Sequence, residues 1–453
     1  MNRICLSLTI LGLTTGTGPV LAGKELPRRP FVGVRLEAKG EAVQIVHIFP
    51  DSSGARSDLK VGDVVLAIDD TKINSVADFL SAMKRFHTGD HVKCRIARDK
   101  KESAVDLGLT EWPRESPADI DVLYDSVDAG EATLRSILTK PKTATASARM
   151  PAVLYIQGID CGSVEAPIGI SDRSVQMIYE LTRSGFVVMR CEKSGVGDST
   201  GKPCVEMGLH AEVADFMSAV KKLKTYDFVD ATKVFLFGHS AGGWVAPLVA
   251  SKEPVQGIIV YGTVVRPFAE YLVENHRRNQ RVRYKRDPAG LETEVRQLGQ
   301  FLRKVLAEKR EPEAVVKENP ELAKAAKLVF ATNPKLAYGV RSLRYFQEVE
   351  DQNMAEVWGG LGIPTLALVG EFDLRASAYD HEYLAEMVNA RHPGKGTWKQ
   401  IPRADHGFTL HTSLEESAKS EFKGPLAPQV MLESVEWMRN VIAGQETPRA
   451  GVR

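Results

Sequence analysis

Val234-Phe235-Leu236-Phe237-Gly238-His239-Ser240-Ala241-Gly242-Gly243-Trp244-Val245-Ala246-Pro247-Leu248-Val249-Ala250 is the run on which the reading of the chain turns. Four strand-type apolar residues end at a glycine, and a second apolar stretch begins at Trp244, four residues after the serine. The pattern is that of a buried strand, a tight turn and a helix. The turn itself reads Gly-x-Ser-x-Gly, in which the glycines spare the neighbouring backbone a collision and the serine hydroxyl is lifted clear of the sheet. Gly197-Asp198-Ser199-Thr200-Gly201 matches the same five positions. It lies several residues beyond its strand, and the Lys202-Pro203 that follows opens no helix. Ser240 is therefore the candidate nucleophile and Ser199 a loop residue.

A serine hydroxyl needs a base, and the base needs an orienting carboxylate. Downstream, Thr365-Leu366-Ala367-Leu368-Val369-Gly370-Glu371-Phe372-Asp373 is a strand ending in acids, and Ala404-Asp405-His406-Gly407 comes later. Asp373 is the candidate acid and His406 the candidate base. Glu371, nearer the strand, is expected to turn into the structure, and Asp405 to point away from the serine. Around these residues strands alternate with helices, as in a mostly parallel sheet: Thr133 to Leu138, Ala152 to Ile156, Phe186 to Cys191, Val234 to Phe237, Ile258 to Tyr261 and Thr365 to Val369. Between about 266 and 360 the alternation stops, and a charged stretch of helix formers reads as an inserted helical cap. Its basic run His276 to Arg281 reads as a solvated face.

With its strand–turn–helix serine and its Ser, Asp, His order, the region 119–445 resembles the α/β-hydrolases. The resemblance implies an α/β fold and two backbone donors for an oxyanion. One is Ala241, after the serine; the other is Ile159, in the Gln157-Gly158-Ile159-Asp160-Cys161-Gly162 loop that follows the third strand. Many relatives have His-Gly where this chain has Gln157-Gly158. The resemblance also makes the strands before Cys161 and Cys204 neighbours. Those two residues form a disulfide or remain two thiols, and an exported setting favours the bond. Cys94 and Cys191 fall within strands and read as buried thiols.

Residues 31–112 form a separate unit. Leu59-Lys60-Val61-Gly62-Asp63-Val64-Val65, followed by Ile68-Asp69 and a helical Val76 to Phe86, resembles a bacterial PDZ domain. The resemblance implies capture of an extended peptide along a sheet edge beside Phe31, Val32 and Gly33, where Pro30 removes one backbone donor. The alternative is a packing module that binds nothing. Glu111 to Asp119 reads as a linker. All candidate catalytic residues follow it, so the region before it is expected to be dispensable for small substrates.

Residues 1–22 read as a signal peptide: Met1-Asn2-Arg3, the apolar Ile4 to Leu13, then small residues around Val20-Leu21-Ala22. The expected location is periplasmic or secreted. No later stretch has the apolar length of a membrane span. With 59 basic and 58 acidic residues the net charge is +1, which supplies no global field for nucleic acid. No Cys/His spacing suggests a metal, and the expected mechanism needs no cofactor. The expected activity is hydrolysis of a carboxylic ester through an acyl-enzyme, on a small-molecule or peptide substrate. A serine peptidase or aminopeptidase of the same fold is the alternative, and a PDZ-led binding protein with an inert hydrolase body a third reading.

Overall fold

The computed structural model describes residues 26–40, 42–166, 172–330 and 335–445. The expected signal segment 1–22 lies outside them.

The N-terminal unit is an antiparallel sheet built from β1 (Val34–Lys39), β2 (Ala42–Ile48), β3 (Val64–Ile68), β4 (His91–Arg98) and β5 (Lys101–Gly108), in that spatial order. Period-two alternation sends Val43, Ile45, Val65, Val92, Ile96 and Leu107 inward, where they meet Phe79 of α1 (Val76–Met83). Ser75 caps α1 by accepting the Asp78 N–H. β1 is an edge strand. Just before it, Pro30–Phe31 pairs antiparallel with Thr110–Glu111, so chain entry and exit run side by side.

The larger unit is an eight-stranded sheet of β6 (Ile120–Asp128), β7 (Thr133–Pro141), β8 (Met150–Ile156), β9 (Val187–Cys191), β10 (Val229–His239), β11 (Gly257–Tyr261), β12 (Thr365–Gly370) and β13 (Gly396–Ile401). Their spatial order is β6-β7-β9-β8-β10-β11-β12-β13. β7 runs antiparallel to both neighbours, and every pair from β9 to β13 is parallel. This is the α/β-hydrolase arrangement. Two strands, β6 and β13, are additional to those read from the sequence; both lie at sheet edges.

Because the central strands are covered on both sides, alternate residues feed two cores. Leu154, Leu236, Ile258 and Val260 face α3 (Leu209–Leu223) and α4 (Gly242–Ala250). Val153, Tyr155, Phe235, Phe237 and Ile259 face α2 (Arg173–Arg183) and the last helix, Pro428–Ile442. Each such fully buried aliphatic or aromatic side chain contributes about 1.5–3 kcal/mol relative to exposure. The cap between β11 and β12 is helical and includes α5 (Phe268–Tyr284) and α6 (Pro288–Leu302). It also holds a two-residue hairpin pairing Leu336–Ala337 with Arg341–Ser342. The run expected as a solvated face forms part of α5 and is otherwise employed. His276, Asn279 and Gln280 line a cavity, and Arg277 and Arg278 are tied to Glu292 and to the carbonyls of Leu374 and Ala376.

Candidate active site

At the end of β10 the chain turns into α4 with Ser240 at φ 54°, a left-handed conformation that a side chain adopts only when its surroundings impose it. The glycine at 242 follows from close approach: a Cβ there would lie 2.2 Å from the Ile156 carbonyl oxygen. The turn stands the hydroxyl against His406. Ser240 Oγ is 2.9 Å from His406 Nε2, and His406 Nδ1 is 2.8 Å from Asp373 Oδ2. Gly262, at φ +65°, passes beneath this row; a Cβ would meet His406 Nδ1 at 2.8 Å.

His406 and Asp373 are both 5% exposed, so their contact is shielded from water. Burial alone would raise the Asp373 carboxyl. The charge and hydrogen bond of His406, with the N–H groups of Arg375 and Ala376, outweigh it and hold the group below the usual carboxylate range. His239 donates through Nε2 to the His406 carbonyl at 2.8 Å. Burial and the neighbouring His406 push its pKa down to about 3, so it stays a neutral brace.

The rival residues have other employment. Ser199 Oγ accepts from the Arg135 N–H at 2.8 Å and donates to the Glu192 carbonyl. Asp405 is buried and accepts from His411 and from the Gly407, Thr409 and Phe422 N–H groups. Glu371 is exposed and accepts the Arg403 N–H, rather than turning inward as expected; the strand ends one residue earlier and leaves it in solvent.

Ile159 and Ala241 both border the cavity at Ser240, and among the described residues neither N–H has a protein acceptor. Cys161 and Cys204 are joined by a disulfide across the two loops, while Cys94 and Cys191 are buried thiols. Two side chains that the sequence reading did not single out stand behind Ile159, namely Lys193 and Arg341. The cavity holds about 420 Å³ and is walled by Trp244, Phe268, Leu298, Leu328, Tyr338 and Phe346. Asn275, His276, Asn279, Gln280 and Arg375 are among its polar lining residues.

In the N-terminal unit Phe31 and Val32 are buried and Gly33 has φ +73°, with Ser52 packed against it. The carbonyls of Phe31, Val32 and Gly33 accept from Ser53, Gly54 and Phe49. Among the described residues the Val32 and Gly33 N–H groups have no protein acceptor. Also among those residues, no cluster has the makings of a metal site and no helix is long and apolar enough to cross a membrane.

Known proteins resemble both units. The chain is 21% identical over 316 residues to Esterase EstD of Thermotoga maritima, covering 69% of this chain and 68% of that one. It is 24% identical over 174 residues to a protein of Halomonas elongata named probable periplasmic serine endoprotease DegP-like, covering 35% of this chain and 36% of that one. Among solved structures, Est1E from Butyrivibrio proteoclasticus, determined with ferulic acid bound, is 17% identical. It covers 69% of this chain and 99% of its own, with a TM-score of 0.43. A thermophilic esterase from Thermogutta terrifontis is 19% identical, covers 71% and 99%, and has a TM-score of 0.39. A PDZ domain model matches residues 30–109, and a model described as serine aminopeptidase, S33, matches residues 168–410. The chain is thus a member of the serine aminopeptidase S33 family of α/β-hydrolases, with a PDZ domain preceding the hydrolase sheet.

Proposed function

We propose that this hydrolase cleaves carboxylic esters through an acyl-enzyme on Ser240. The observation that carries the reading is the hydrogen-bonded row from Ser240 Oγ through His406 to Asp373. His406 Nε2 takes the hydroxyl proton as Oγ attacks the acyl carbon, and Asp373 stabilises the resulting imidazolium. The Ala241 and Ile159 N–H groups receive the oxyanion, and His406 returns the proton to the departing alcohol. Water then repeats the sequence on the acyl-enzyme. An ester is favoured over an aminoacyl amide because the described residues lining the cavity include no carboxylate to pair a substrate ammonium. The aromatic and aliphatic walls suit an apolar acyl group. A fluorophosphonate is expected to label the tryptic peptide containing Ser240. Ser240→Ala should lower kcat for aryl esters at least about a thousandfold. Label on Ser199, or near-normal turnover by Ser240→Ala, would sink the reading.

Export of the protein, and capture of an extended peptide by the PDZ domain at Phe31, Val32 and Gly33, belong to the same proposal. The segment 1–22 and the Cys161–Cys204 pair support an oxidising location. Protein from its native host should begin just after Ala22 and yield the Cys161–Cys204 linkage on non-reducing peptide mapping. An intact N-terminus with both thiols free to alkylate would overturn it.

A further inference from the structure

The loop that carries Ile159 contains three successive carbonyls, each held by a buried cation. Lys193 Nζ donates to the Gly158 carbonyl at 2.5 Å and to the Asp160 carbonyl at 3.2 Å. Arg341 Nε donates to the Ile159 carbonyl at 2.8 Å, and its Nη1 to the Cys204 carbonyl at 2.8 Å. Both cations share one carboxylate: Glu212 Oε1 is 3.0 Å from Lys193 Nζ, and Glu212 Oε2 is 2.6 Å from Arg341 Nη2. All three side chains are almost wholly buried. Burying an ammonium and a guanidinium with one carboxylate is costly, and a loop that merely had to close would not require it.

The peptide between Gly158 and Ile159 is trans, so its C=O and N–H point in opposite directions. A carbonyl drawn toward Lys193 turns the Ile159 N–H the other way. That side is the cavity: Ile159 lines it with Ser240, and a Cβ on Gly158 would sit 3.4 Å from the Ser240 Cβ. A cation on the carbonyl also polarises the peptide and makes its N–H a stronger donor.

We propose that Lys193 and Arg341 are positioning residues for the oxyanion hole, clamping the Gly158–Asp160 backbone so that the Ile159 N–H is aimed at the oxygen that gains charge in the transition state. Lys193 comes from the loop after β9 and Arg341 from the cap hairpin. The cap thereby contributes to the hole as well as covering it. The inference rests on the reading of Ser240 as nucleophile.

The test compares Lys193→Met with the full-length wild type. The Glu212–Arg341 pair survives this change, so no buried carboxylate is stranded. Two quantities are read: kcat and KM for an aryl ester, and the inhibition constant of an alkyl trifluoromethyl ketone. In that inhibitor Ser240 Oγ adds to the ketone carbon, the C=O electron pair moves to oxygen, and the hydroxyl proton passes to His406. The adduct carries the oxyanion without turnover. The expected result is a kcat at least about tenfold lower with KM within about threefold, and a matching loss of ketone affinity, as for a weakened oxyanion donor. A folded variant with kcat and ketone affinity within about threefold of wild type overturns the inference. So does a loss in KM alone, or a kcat loss with unchanged ketone affinity. Should Lys193→Met fail to fold, Arg341→Lys is read by the same criteria. Retained fluorophosphonate labelling of Ser240 alongside an unchanged Lys193→Met removes only this inference, whereas an active Ser240→Ala removes the ester-hydrolase reading itself.

Discussion

The ionisation of Lys193 bears on function through the oxyanion hole it is proposed to position. Burial drives its ammonium down, Glu212 offsets part of that, and Arg341 adds to it, leaving a pKa of about 8. The Asp160 carboxylate, in the loop that carries Ile159, also acts on it, while Asp215 of α3 interacts with Glu212. Asp215 is itself pushed up to about 7 by burial and by Glu212. Above about pH 8 the amine keeps its hydrogen bond to Gly158 but loses the charge that polarises the Ile159 N–H. Wild-type kcat for an aryl ester, followed from about pH 6.5 to 9.5, is therefore expected to fall through an alkaline limb near 8, and Lys193→Met to lack that limb. Identical alkaline profiles would show that the charge is immaterial. Stability has the opposite sign. The folded pKa lies below the unfolded one, so between about 8 and 10.4 the unfolded chain holds a proton that the folded one has released. This group's contribution to stability thus rises with pH over the window in which activity declines.

At the scale of elements, what the sequence disclosed depended on burial. β8, β9, β11 and β12, and β10 from Val234 onward, are nearly continuous apolar runs because both faces of the central sheet are covered, and such runs stand out by composition. β6, with Asp121, Asp125 and Asp128, and β13, with Lys399 and Gln400, pair on one side only and keep polar residues. That mixture resembles loop, and both strands passed unread. The site divides in the same way. Ser240 was legible because a strand and a helix abut it, and His406 because of its place in the chain order. Lys193 and Arg341 carried no such mark. They lie far apart in sequence, and only the crossover of β8, β9 and the cap hairpin brings them to one carboxylate. A lysine after a strand and an arginine in a cap read as surface charge until the topology closes over them.

For the molecule as a whole, the region before Glu111 is not the separable preface that the order of candidate residues suggested. Arg28 is 5% exposed and binds Asp198 Oδ2 at 2.5 Å and Glu165 Oε1 at 2.6 Å, both in loops of the hydrolase unit. Arg29 adds its N–H to Asp198 and its guanidinium to Glu165, and Arg135 holds the Leu26 carbonyl. Glu165 lies four residues beyond Cys161, so this anchor sits close to the oxyanion loop. A chain beginning at Ser116 leaves the buried Glu165 without either arginine and, by removing Glu115, the buried Arg190 without its carboxylate, at a cost of about 3–5 kcal/mol for each broken pair. It is expected to be poorly folded or at least about tenfold slower. A chain that keeps residues 26–31 and continues from Thr110 through a short linker should retain kcat for small esters within about threefold. Equal activity of the two, measured alongside thermal unfolding, would show that the anchor is unimportant.

That anchor changes what kind of attachment the PDZ domain has. Its chain leaves the hydrolase unit after Arg29 and returns beside it through Thr110–Glu111, paired with Pro30–Phe31. The domain is thus an insert held by two adjacent ropes, where an appendage on a single rope would sweep freely through space. A disturbance at either rope therefore reaches the other through four paired residues, so the domain's entry and exit behave as one mechanical joint.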